Sequence, residues 1–471
     1  MTLWRLAKVV LALALLSTLA YAALTLVTRP LDGSEGSFLF DAARIRQGLP
    51  LYVDPNVGAW EYGPVPSRYY VLYTPFWAAV LAAFPASAAA VCARLLSFGA
   101  WAGLLACIVA SAPRSRRAVT AAGGAFVASL YPLMLFAAAG RSDAVAVAIA
   151  GLALLRSARA GRVGALEGAL FALAAFFKPN VLAAGLGAIG ADVVERRGRS
   201  LPALAGAASC VLACAGVLEG ASGGVWVEHL VRSSWMPFSA RLWAEQMVSR
   251  APFFVLPLAF CVWSAARARA WMLLSALGAS VAWTAVSLAK VGSASNYWME
   301  PCVVGLVVLA SVPLPPFPSW LRAAAAPLAL AQVAWTGVAS VRSSVAAIGA
   351  ASHESAVLSG ARVACGAGPG QIVLADEAGL EMMLDGRAVD QPLVFTQLVR
   401  RGDFALSTWV ADLDRPDVRG LVLQSDWLER AGATDVEPAH DLFPAALRGP
   451  LRAKFELATQ SDGLWLYRSR Q

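Results

Sequence analysis

The sequence predicts a polytopic α-helical membrane protein of about eleven spans, ending in a small extracytoplasmic α/β domain. Three observations predict it. Of 471 residues, 58% are hydrophobic and 14% charged, where a soluble domain is nearer to about a quarter charged. The basic residues lie in short clusters between apolar runs, the positive-inside pattern. From about residue 342 the texture turns polar, with short β-like runs.

Taken in order, the apolar runs fall at 6–28, 88–111, 118–140, 142–158, 163–178, 180–194, 201–219, 252–266, 271–290, 302–314 and 320–341. The first follows Arg5 and Lys8 and has no convincing cleavage site, so it reads as a retained span. The segment 69–86 is ambiguous, being aromatic at one end, broken by Pro75 and bounded by Pro85. Loop charge sets the parity. The clusters at Arg114/Arg116/Arg117, Arg156/Arg159/Arg162, Arg196/Arg197/Arg199 and Arg267/Arg269 share the cytoplasm with Arg5 and Lys8 only if 69–86 does not fully cross. The N-terminus is then inside and the C-terminal domain outside. The outer face receives the 29–68 loop, Arg141-Ser142-Asp143, Lys178-Pro179-Asn180 and the stretch from Lys290 to Glu300. It also receives 220–250, whose Trp226, Trp235 and Trp243 suit headgroup depth. Two domains follow: 1–341 in the membrane, and 342–471 as an α/β unit with strands near Gln371–Ala375, Gly420–Gln424 and Gly463–Tyr467. Its loop acids Asp376, Glu377 and Asp385 read as solvated.

Several function classes fall away. The net charge of +8 does not indicate nucleic acid, because no Arg-rich or stacked-aromatic reading element accompanies it. Of seven cysteines only Cys365 lies outside the apolar runs, and Cys210/Cys214 have no histidine nearby, so neither a disulfide framework nor a metal knuckle is indicated.

The charged residues at the outer face carry the chemistry. Phe38, Leu39, Ala42, Ile45 and Leu49 share one face of a helix, expected to lie on the membrane with Asp41 and Arg44 positioned to pair. Glu35 and Asp32 stand at its start, where they could cap the helix or serve as a general base; Ser34 could cap it alone. Arg141 and Asp143 end an apolar hairpin, either as an ion-paired turn or facing a cavity. Lys178 and Lys290 end apolar runs and could simply snorkel. Together with Arg68 and Arg141 they could instead bind a lipid phosphate or diphosphate.

The order of these pieces resembles a known family. An outer loop with acids precedes Ala42-Ala43-Arg44, Gly48 and Leu51-Tyr52-Val53-Asp54. Gly140-Arg141-Ser142-Asp143-Ala144 opens a span, Lys178-Pro179-Asn180 lies between spans, and Lys290-Val291-Gly292 leads to Asn296-Tyr297-Trp298-Met299-Glu300-Pro301. Over about residues 1–340 this resembles the GT-C superfamily of integral membrane glycosyltransferases, in particular the family 39 group of protein O-mannosyltransferases and the aminoarabinose transferase acting on lipid A. The resemblance implies a polyprenyl-phosphate-linked sugar donor, work at the outer face, and a catalytic carboxylate in the first outer loop. The family's Asp-Glu pair falls on Ser34-Glu35, a departure that leaves Glu35 or Asp32 as base. The family's second acid falls on Asp143, and Pro66-Ser67-Arg68 stands where relatives carry Lys-Pro.

The expectation is a glycosyltransferase of the bacterial cytoplasmic membrane. Glu35 or Asp32 would activate the acceptor (lipid, protein or glycan), and Arg68, Lys178 and Lys290 would hold the donor phosphate. Arg141 and Asp143 would shape the cavity, and Asn296 and Tyr297 would meet sugar or headgroup. No cofactor is required; a divalent cation could sit on Asp32, Glu35 and Asp143. The rival readings are a transporter or flippase of a lipid-linked saccharide, and a structural assembly protein.

Overall fold

A computed structural model describes residues 3–28, 31–53, 56, 71, 73–196, 200–313, 319–386, 392–429, 443–461 and 463–470. The apolar run behind Arg5 and Lys8 forms α1 (Leu3–Thr28), and the outer loop opens with α2 (Gly33–Arg46). Pro75 starts the short α3 (Phe76–Ala82), and Pro85 separates it from α4 (Ala86–Ser111). Pro113 turns the chain into α5 (Arg114–Ala128), followed by α6 (Tyr131–Ala137), α7 (Asp143–Ala160), α8 (Ala165–Phe177), α9 (Ala183–Arg196) and α10 (Leu201–Ser222). The Trp-rich stretch holds α11 (Val225–Ser234) and α12 (Ala240–Arg250). Next come α13 (Val255–Arg267), α14 (Trp271–Ser287), a single 3-10 turn at Ser295–Trp298, α15 (Met299–Ser311) and the long α16 (Ser319–Ala364).

Helices therefore occupy every segment where an apolar run predicts one. Among the described residues, Lys8–Leu26, Ala86–Ser111 and Leu201–Ser222 are long and apolar enough to cross a membrane alone. Two broken pairs, α5 with α6 bent by 76° and Ala240–Phe253 with α13 bent by 69°, raise this to five. The chain is a largely helical membrane protein. Leu212 and Val217 of α10 are 73% and 67% exposed, which suits contact with lipid chains. The segment 69–86 is described in part, and its helix α3 is seven residues long, too short to span.

The C-terminal region forms β1 (Ile372–Ala375), α17 (Ala378–Asp385), α18 (Pro392–Arg401), α19 (Leu406–Leu413), β2 (Val418–Leu423), α20 (Arg448–Lys454), β3 (Phe455–Ser461) and β4 (Leu464–Ser469). The sheet is mixed, in the order β1-β2-β4-β3, with β1 parallel to β2 and the other pairings antiparallel. The three expected strands are present, and β3 joins them at an edge. Its residues are mostly exposed, so it carries no apolar pattern. Leu358, Ala361, Cys365, Val373, Leu380, Val422 and Leu466 make the core. The loop acids are not solvated as expected. Asp376 is 3% exposed and accepts from Gln424 N at 2.7 Å, tying the ends of β1 and β2. Asp385 accepts from Val373 N at 2.9 Å and pairs with Arg362. Strand ends leave backbone donors that a buried carboxylate satisfies.

The chain divides into two compact units. One comprises Met1–Leu26, Ala93–Val217 and Phe238–Ala347; the other comprises Val27–Cys92, Leu218–Pro237 and Ile348–Gln471. In the first, α7 packs on α8, α9 on α14, and α15 on α5, α7, α13 and α14. In the second, α2 packs on α3 and α17. Arg46 donates to Leu81 O and Phe84 O (3.4 and 3.0 Å) at the end of α3, and Arg401 to Arg232 O and Trp235 O (3.0 and 2.7 Å) at the end of α11. Guanidinium groups thus satisfy carbonyls that helix ends leave open.

Candidate functional site

In the second unit, the outer-loop acids build the start of α2. Asp32 is its N-cap, with extended backbone at φ −76° and ψ 165°. Its Oδ1 accepts from Glu35 N at 2.8 Å, while Asp32 N donates to Glu35 Oε2 at 3.2 Å. This reciprocal capping box uses Asp32 where Ser34 also had the chemistry. Glu35 is 2% exposed. The next residue explains the burial: a Cβ on Gly36 would lie 2.5 Å from Ala378 O and from the backbone of Gly379. A Cβ on Gly379 would in turn collide with Leu31 O and Asp32 O. Two glycines bring the N-terminal ends of α2 and α17 backbone to backbone.

That contact overturns one expectation. The helix α2 does not carry one apolar face and one solvated face, because Glu35, Gly36, Ser37, Phe38, Leu39, Asp41, Ala42 and Arg44 are all buried. Arg44 turns to the chain after the helix, donating to Pro50 O from Nε at 3.1 Å and Nη2 at 2.6 Å. Asp41 is 4% exposed, and its Oδ1 has no hydrogen-bond partner among the described residues. Burial pushes its carboxyl up to about 8, against the pull of Arg44. Tyr52, which donates to Tyr73 O at 3.1 Å, is raised by burial and then by the charge of Asp41. His229 of α11 meets Tyr52 edge-on at 5.4 Å, and its Nε2 lies 2.8 Å from Val53 O. A carbonyl only accepts, so Nε2 holds the proton. Burial holds this imidazole below its usual range. The sequence presents Tyr52 only as part of the Leu51–Asp54 motif and gives His229 no role; the usable signal is that His229 is one of only three histidines.

In the first unit, three of the expected outer segments meet. Asp143 opens α7, Lys178 ends α8 and Asn296 lies in the turn before α15. Arg141 Nε donates to Asp143 Oδ2 at 3.1 Å, Lys178 Nζ lies 3.4 Å from Asp143 Oδ1, and Asn296 Nδ2 donates to the same oxygen at 2.5 Å. Lys178 and Asp143 side chains are 2% and 4% exposed, so Lys178 does not snorkel. Its ammonium is used inside. Arg141 also lies over the Phe136 ring, 4.9 Å from its centroid. Two cations, Arg141 and Lys178, face the carboxylate of Asp143. The Oδ1 of Asn296 is buried with no hydrogen-bond partner among the described residues. Such a group favours an anion and a hydroxyl donor.

The remaining residues fall as follows. Lys290 is partly buried and bridges to Phe238, Tyr297 is partly buried with its carbonyl accepting from Thr284 at 2.9 Å, and Arg68 lies outside the described residues. Glu300, next to Tyr297 in the motif, is a buried acid that sequence reasoning did not select. It accepts from Ser280 Oγ at 2.7 Å and from Ala184 N at 3.2 Å, so it closes the start of α9. Among the described residues, no three His, Cys, Asp or Glu side chains gather as metal ligands would.

No protein-family model and no curated protein matches the chain. Solved structures do. A crystal structure of ArnT from Cupriavidus metallidurans in the apo state aligns with a TM-score of 0.53 at 15% identity, over 97% of both chains. One of ArnT from the same organism, bound to undecaprenyl phosphate, aligns at 0.55 with 14% identity, again over 97% of both. The likeness extends through the membrane helices and the C-terminal sheet alike.

Proposed function

We propose, from a fold shared end to end with ArnT, that this chain is a membrane glycosyltransferase using a polyprenyl-phosphate-linked sugar. The observation that carries the reading is the buried cluster in which two cations, Arg141 and Lys178, converge on Asp143 beside Asn296, whose Oδ1 has no hydrogen-bond partner among the described residues. A lipid-linked sugar phosphate offers both complements, an anion and hydroxyl donors. Arg141 and Lys178, with Lys290 and Arg68, hold the phosphate; Asn296 and Tyr297 meet the sugar.

In the reaction, an acceptor oxygen or nitrogen attacks the anomeric carbon and forms the new glycosidic bond. The bond from that carbon to the phosphate oxygen breaks, and its electron pair leaves with the polyprenyl phosphate. A carboxylate of the 29–68 loop, Glu35 or Asp32, takes the acceptor proton. Cations at the phosphate stabilise the charge that grows on the leaving group.

Around this site we assign eleven spans, 1–341 as the membrane domain and 342–471 as an outer domain. The N-terminus is cytoplasmic, in a bacterial inner membrane. Support comes from helices in all eleven apolar segments and from the parity of the arginine clusters.

The capping box makes the test clean. Glutamine at N3 and asparagine at the N-cap keep the box, whereas neither amide accepts a proton. Wild type, Glu35→Gln and Asp32→Asn are compared for sugar release from a panel of polyprenyl-phosphate sugars. One amide variant is expected to lose about 10²–10⁴-fold in turnover while still binding donor. Donor binding without turnover by any of the three would refute the enzyme and favour a lipid-sugar transporter.

A further inference from the structure

The helices α1, α4 and α5 bound a second feature that the transferase reading does not use. Helices α4 and α5 touch where Gly124 faces Val109, 3.3 Å from a Cβ built on the glycine. Elsewhere they leave a crevice of about 540 Å³. Ala102, Ala106 and Ala110 of α4, at a spacing of four, floor one side; Ala121 and Ala125 of α5 line the other, and α1 adds Leu15. Such small residues normally let two membrane helices close on each other. Here they do not close, and the volume falls in the range of about 300–1,000 Å³ typical of ligand sites.

Charge identifies the occupant. Arg117 lines the crevice, and Arg114 and Arg116 stand in the same turn of α5. Arg159 of α7 reaches the same end, donating to Ser111 O at 3.4 Å. Helices α1, α4 and α5 contain no Asp or Glu at all. The acid following Arg159, Glu167, is engaged by Arg156 at 2.9 Å. An apolar trough ending in Arg117, which donates to Ala110 O at 3.5 Å and has no ion pair among the described residues, complements a molecule with an acyl chain and an anionic head.

We propose that the α1/α4/α5 crevice is a binding site for one anionic membrane phospholipid, its acyl chain along the alanines and its phosphate on Arg117. This is separate from the sugar donor, and it holds or fails independently of the transferase reading.

The test is native mass spectrometry of the full-length protein in detergent, titrated with phosphatidylglycerol or phosphatidylcholine. One phosphatidylglycerol should be retained preferentially. Arg117→Gln, an exposed change that leaves the helices intact, should weaken it about fivefold, the value of one arginine near an anionic surface. Ala106→Leu should abolish it by filling the trough. Should that variant fail to fold, Arg117→Gln against Arg267→Gln, a basic residue away from the crevice, still decides. Equal retention of both lipids, equal weakening by the two arginine variants, or displacement by polyprenyl phosphate would each overturn the proposal.

Discussion

Removing Asp143 should damage the protein more than removing Lys178, and removing both should cost less than the two separately. The pair is separated by 3.4 Å with both side chains under 5% exposed. At an effective dielectric of about 20 the direct attraction is about 5 kcal/mol, most of it offset by the loss of hydration. Asp143→Asn leaves Arg141 and Lys178 facing each other across a neutral amide, a loss of about 3–5 kcal/mol. Lys178→Met leaves Asp143 still held by Arg141 and Asn296, so its cost is smaller. The double variant relieves part of the repulsion, giving a coupling of about 2–3 kcal/mol. Unfolding of the four proteins in mixed micelles supplies the cycle, and donor titration of Lys178→Met should show a raised KM. A coupling below about 0.5 kcal/mol, or better tolerance of Asp143→Asn than of Lys178→Met, would show that the cluster is not an ion-paired unit.

Other outcomes follow from the same geometry. Gly36→Ala would put a methyl group into the backbone of Gly379, so a loss of about 1–3 kcal/mol and a lower melting temperature are expected, and Gly379→Ala should do the same. Asp41 has a folded-state pKa of about 8, above its unfolded value, so its contribution is complete below about pH 4 and is lost as pH rises through 8. Wild type should therefore lose up to about 1.4 kcal/mol per pH unit across that window relative to Asp41→Asn, read as diverging melting temperatures between pH 5 and pH 8. Glu300→Ala strips the start of α9 and leaves Ser280 unsatisfied, about 1–3 kcal/mol, whereas Glu300→Gln should be much milder in the same melt.

The parts legible in the sequence were those where local chemistry decides. A charge within an apolar run must find a partner, which is why Arg141, Asp143 and Lys178 stand out in the sequence, whereas Asn296 stands out only through the motif it shares with Tyr297. Glu300 obeys the same rule but is masked by the motif around Asn296 and Tyr297. The helix α2 was legible as a helix, yet its environment was not. Periodicity gives the faces of a helix and says nothing of a partner as distant in sequence as Gly379. The edge strand β3 escaped because only Phe455 is fully buried along it. The Asp462-Gly463 pair before β4 was the available hairpin signal, and Gly463 does adopt φ +82°.

The Gly36–Gly379 contact also sets a clock. Helix α2 leaves the ribosome early, and its partner α17 follows only after about 330 further residues, or about 20–70 s of synthesis at usual rates. Throughout that interval the face of α2 that packs on α17 lacks that partner. A premature stop anywhere before β1 would leave α2 in that condition for good.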